Sequence, residues 1–121
     1  MSIESSTAEI ARFRTAATAG SVRFDADAAR QCAQLYQDQA DRLIQLKSRL
    51  EYAADAGGFG GFVSADQLRD GFANKARDAA ELLDRYVEAA YRLKEAFLLS
   101  AGLYEEADAA GAAAMRTAVQ V

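Results

Sequence analysis

The sequence predicts an all-α chain, an antiparallel helical hairpin that forms an elongated four-helix bundle on dimerisation, and three observations carry that expectation. The 121 residues contain no proline, abundant alanine and few β-branched side chains, so local preference favours helix almost throughout. Apolar residues recur in alternating steps of three and four on both sides of the midpoint, the spacing of a helical stripe. Between the two stripes, Gly57-Gly58-Phe59-Gly60-Gly61-Phe62 gathers four of the eight glycines into five positions. Each glycine costs a helix about 0.8–1 kcal/mol and opens positive φ, so this stretch should stop one helix and reverse the chain. The two phenylalanines imply a packed turn, because their apolar surface gains free energy only when covered.

Residues 1–21 read as an N-terminal extension able to form a short helix. Ser6-Thr7-Ala8-Glu9 has capping-box spacing, Ile10, Phe13 and Ala17 share a face, and Gly20 is a stop. Three turns are marginal alone, so this helix either docks through Ile10 and Phe13 or frays. Ser21 to Phe24 should be an extended lead-in, with Asp25 as the cap of a helix from about Ala26 to Ala56. Its stripe is Ala29, Cys32, Tyr36, Leu43, Leu46, Leu50 and Ala53, with Gln39 filling the gap.

Beyond the turn, Ser64-Ala65-Asp66-Gln67 is a second capping box, placing a helix start at Ala65. The stripe Leu68, Phe72, Ala76, Ala79, Leu83, Tyr86, Ala90, Leu93, Phe97 and Tyr104 predicts one helix to about Ala109, with its weak points at Gly71 and Gly102. Residues 22–110 are thus expected as the hairpin. Leu82, Val87, Tyr91, Leu98 and Leu99 lie beside the stripe, more apolar surface than one partner helix covers, which points to a second chain. Residues 111–121 lack a clear stripe and are expected as a flexible tail.

Composition narrows the function classes. A net charge of −4 offers no basic footprint for nucleic acid. Apolar runs are short, and Ile3, Glu4 and Ser5 stand where a signal peptide would place basic residues, so neither a membrane span nor a cleaved leader is expected. Amphipathic faces leave contact with a membrane surface open. The absence of histidine and the presence of one cysteine remove the usual acid–base and any internal disulfide. Cys32 is expected as a small buried side chain rather than a reactive thiol. No catalytic residue, metal site or cofactor is expected.

Two short patterns remain. Phe59-Gly60-Gly61 at mid-chain and Tyr104-Glu105-Glu106-Ala107-Asp108 near the far helix end together resemble the helical-hairpin substrates of type VII (ESX) secretion. That family is defined by a Trp-X-Gly turn and a Tyr-X-X-X-Asp/Glu signal. The resemblance spans roughly residues 22–110 and is closest to the variant, ESX-associated branch, here with Phe in place of Trp. Tyr91-Arg92-Leu93-Lys94-Glu95 also spells the second motif, but in mid-helix, where a packing role is expected. The resemblance implies a non-enzymatic secreted protein, made in the cytoplasm, that pairs with itself or a related hairpin and engages the secretion machinery. Tyr104 and Asp108 would carry the signal, and Phe59, Gly60 and Gly61 the turn. The alternative is a cytoplasmic structural or adaptor bundle.

Overall fold

The computed structural model describes residues 2–55 and 63–119, without the side chains of 55 and 63–65. Its architecture is all-α. Four helices follow in order: α1 (Ile3–Thr18), α2 (Ala26–Asp55), α3 (Val63–Ser100) and α4 (Tyr104–Val119). α3 is the hub. Each of the other three packs along it, and among the described residues they do not pack backbone against backbone on one another.

Local chemistry explains the helix ends. α1 starts a turn earlier than the Ser6 box predicts, because Ser2 supplies the cap: its hydroxyl oxygen accepts from the Ser5 amide at 3.1 Å. At the other end Gly20 takes φ +77°. The Ser21 amide then donates to the Ala16 carbonyl (2.9 Å) and the Gly20 amide to Ala17 (3.2 Å), a Schellman closure that L side chains resist. Asp25 caps α2 as expected, its carboxylate accepting from the Ala28 amide at 2.8 Å.

The expected single helix from Ala65 to Ala109 is broken. Gly102 adopts φ +73°, and a second Schellman closure joins the Leu103 amide to the Leu98 carbonyl and the Gly102 amide to Leu99, both at 3.0 Å. Leu103 packs on the cluster of Ala33, Leu98, Ala107 and Ala110, the apolar contact that accompanies this closure. The chain therefore doubles back. α4 runs antiparallel to α3 and continues to Val119 where fraying was expected, burying Ala107, Ala110, Gly111, Ala114 and Thr117. These small side chains let α4 sit close to α3.

α1 runs parallel to α3, as two ion pairs in register show: Glu4 with Arg85 (3.7 Å) and Arg14 with Glu95 (2.8 Å). α2 is antiparallel, with Gln37 accepting from Lys94 (2.8 Å) and Lys47 reaching Asp84 (2.9 Å). Within the chain, α2 covers Val87 and Tyr91, and α2 and α4 together cover Leu98 and Leu99, so much of the surface that the sequence assigned to a second chain is met internally. Val87 and Leu98 are buried, Tyr91 and Leu99 half-buried, and Leu82 alone of the five stays exposed.

Two junctions hold the bundle. Phe97 of α3 meets Phe13 of α1 edge-on (centroids 4.9 Å apart), Phe24 of the linker (5.5 Å) and Tyr36 of α2, stacked at 5.8 Å. Nearby, the buried Glu95 carboxylate accepts from Arg14 at 2.8 Å and Arg92 at 3.2 Å. Gly111 of α4 faces it, and a Cβ there would run into Glu95 Oε2. A side chain at that point would force the Glu95 carboxylate to shift away from its place between Arg14 and Arg92.

Lys47 gives the fold a pH signature. The hydrogen bond to buried Asp84 holds its ammonium above the ordinary lysine value, outweighing the opposite effect of burial. A proton bound more tightly in the folded state stabilises fully below the unfolded value, about pH 10.4, and that contribution is lost as pH rises through the higher folded value. The stability gap between wild type and Lys47→Met should therefore shrink above about pH 10.4 in urea unfolding. A gap that stays constant into that range would remove the pair from the pH response.

Candidate functional site

The site named by the sequence, Tyr104 and Asp108, opens α4 instead of closing a long helix. The corner at Gly102 puts Tyr104 at its first position, and helical spacing places Asp108 one turn below on the same face. Tyr104 is 65% exposed and Asp108 is exposed too. Among the described residues no hydrogen bond or ion pair is recorded for the Asp108 carboxylate.

This placement changes the electrostatics of the acidic residues around the pair. Near a helix C-terminus, acids would oppose the helix dipole; Glu105 and Glu106 instead occupy the first turn of α4, where the dipole favours them. Glu106 also accepts from Arg30 of α2 through Nη2 (2.9 Å) and Nε (3.2 Å). That hydrogen bond raises the Arg30 guanidinium above its usual value. Glu105 and Glu106 thus have a structural explanation that Tyr104 and Asp108 lack. The Arg30 link left no trace in sequence periodicity, since its partner lies 76 residues away.

Beside Tyr104 lies a polar cleft of about 250 Å³. It sits between the two glycine corners, with Arg23, Phe24 and Ser100 on its walls. The Phe24 amide donates to the Ser100 carbonyl at 3.2 Å, pinning the linker to the end of α3. An open groove of about 760 Å³ runs between α1 and α4 over α3, with Ile3, Ile10 and Met115 among its apolar lining and Arg14, Arg85 and Arg92 among its charges.

Tyr91 and Glu95, the second spelling of the motif, behave as mid-helix packing residues. Tyr91 packs on the Ala40, Val87 and Ala90 cluster, and Glu95 holds α1 to α3. Phe59, Gly60 and Gly61 lie outside the described residues. Cys32 is half-buried and free. Among the described residues, no cluster of His, Cys, Asp or Glu suits a metal ion, and no helix is long and apolar enough to cross a membrane. Compared with family models, curated proteins and solved structures, the chain matches none.

Proposed function

We propose that this chain is a non-enzymatic substrate or escort of a type VII secretion apparatus, made in the cytoplasm and exported. In this reading its α2–α3 hairpin pairs with a second hairpin, its own copy or a related chain, into an elongated four-helix bundle. The observation that carries it is the exposed pair Tyr104 and Asp108, presented one turn apart at the start of α4. An aromatic anchor beside a charge is a combination suited to recognition. Burial on α4 is borne by the adjoining stripe of Ala107, Ala110, Gly111, Ala114 and Thr117, while Tyr104 and Asp108 are exposed beside it, so truncating the pair leaves that stripe in place.

Tyr104→Ala with Asp108→Ala should leave helicity and thermal unfolding nearly unchanged and abolish appearance of the protein in culture filtrate. Tyr91→Ala or Glu95→Ala should instead lower stability. Normal export of the 104/108 double variant would overturn the secretion reading in favour of a cytoplasmic adaptor bundle.

A further inference from the structure

Among the described residues α1 and α4 both pack on α3 but not backbone against backbone on one another, and the open groove of about 760 Å³ between them is the consequence. Its axis can be read from two ion pairs. Glu4 and Arg14 on α1 are as far apart in sequence as Arg85 and Glu95 on α3, so the pairs they form mark the ends of a trough about 15 Å long. Between those ends the lining is apolar: Ile3, Ile10 and Ala11 of α1, Ala89 on the floor, and Met115 of α4, which is 61% exposed. A concave apolar site with a few placed polar groups is the usual form of a small-molecule site, and this volume falls within the ordinary range of about 300–1,000 Å³.

Charge is distributed unevenly along the trough. At the Glu95 end, Arg14 Nε and Arg92 Nη1 donate to the same carboxylate oxygen, Oε1, at 2.8 and 3.2 Å. Two cations share one anion there, and among the described residues neither guanidinium makes a further hydrogen bond. Most of their N–H donors are therefore left for a ligand, and both side chains reach water, at 49% and 30% exposure. The rest of the trough has the opposite balance. Arg85 is met by Glu4 at 3.7 Å, and Glu88 lies half-buried on the floor between Arg85 and Arg92. An anionic group is thus favoured at the Glu95 end and disfavoured at the other, while guanidinium groups are suited to oxyanions.

We infer that the groove between α1 and α4 is a binding site for a single-chain anionic amphiphile, a medium-chain carboxylate whose head rests on Arg14 and Arg92 and whose tail runs along Ile10 and Met115 toward Ile3. The site is separate from Tyr104 and Asp108, and it stands whether or not the chain is exported.

Isothermal titration of the full chain with sodium decanoate, kept below the concentration at which it forms micelles, should show one molecule bound per chain. Octanoate should bind several-fold more weakly, since each fully buried methylene strengthens binding by about fourfold. Decanol, with the same tail and no charge, should also bind more weakly than decanoate, and decyltrimethylammonium should not bind. Arg14→Gln should weaken decanoate binding roughly tenfold or more, the loss expected for a hydrogen bond to a charged group. Arg85→Gln, at the far end, should leave it unchanged. Met115→Glu changes an exposed position, so it should abolish binding with helicity retained, and it keeps the inference testable should Arg14→Gln loosen α1. No binding of decanoate, decanol bound as tightly as decanoate, or binding undisturbed by Met115→Glu would each overturn the inference. Several molecules per chain would mean coating of exposed apolar surface, and equal losses with Arg85→Gln and Arg14→Gln would misplace the head; either result overturns it as well.

Discussion

Removing both cations from the buried carboxylate, Arg14→Ala with Arg92→Ala, should destabilise the chain by about 3–5 kcal/mol, the usual cost of leaving a buried charge uncompensated. Glu95 is 6% exposed and draws its compensation from these two guanidinium groups. The arginines themselves keep access to water, so the cost belongs to the carboxylate. Arg14→Ala alone leaves Arg92 in place and should cost roughly 1–2 kcal/mol. Adding Glu95→Gln to the double variant removes the stranded charge and should recover most of the loss. Urea unfolding of the four proteins closes the cycle; a triple variant no more stable than the double would show that Glu95 is not the seat of the effect.

Phe97→Ala should be the next most damaging change, at about 3 kcal/mol, the lower end for a core phenylalanine because the ring is only half-buried. One ring supports three others, from α1, the linker and α2, and each aromatic contact adds about 0.5–1.5 kcal/mol beyond burial. Phe24→Ala, which removes a 40% exposed ring and a single contact, should cost clearly less. Thermal unfolding compares the two directly. Equal losses would mean that Phe97 acts by its own burial and not as a junction.

The helices α2 and α3 were legible because their signals are local: a cap at Asp25 and stripes of large apolar residues. What the stripes concealed was α4. A helix packing through Ala107, Ala110, Gly111, Ala114 and Thr117 has almost no hydrophobic amplitude, since its buried residues differ little in size or polarity from its exposed alanines. Small residues at steps of three and four are themselves a signature of close helix approach, and that pattern was the available clue. Gly102 was recognisable as a weak point, but choosing between a tolerated helical glycine and a left-handed corner depends on the cluster of Ala33, Leu98, Ala107 and Ala110 that Leu103 packs on, and that cluster's contact with α2 is tertiary.

For the same reason the surplus apolar surface of α3 was assigned to another molecule. Periodicity shows that Val87 and Leu98 need cover; it does not say which chain provides it. The candidate site was legible in spelling and exposure, not in setting. Asp108 is one turn into a helix and not one turn from its end, and the acids between it and Tyr104 answer to the dipole and to Arg30.

The hub arrangement also sets an order of assembly. Joining Arg14 to Glu95 directly closes a loop across 81 positions, and loop-closure entropy grows with length. Once α2 has paired with α3, the start of α2 already lies at the end of α3, where the Phe24 amide meets the Ser100 carbonyl. The effective tether for α1 then shrinks to the few residues from Ala19 to Asp25. α4 needs no such help, because the corner at Gly102 delivers it to α3 immediately. α1 is therefore the late arrival, docking at low entropic cost only onto a surface that α2 and α3 have first assembled.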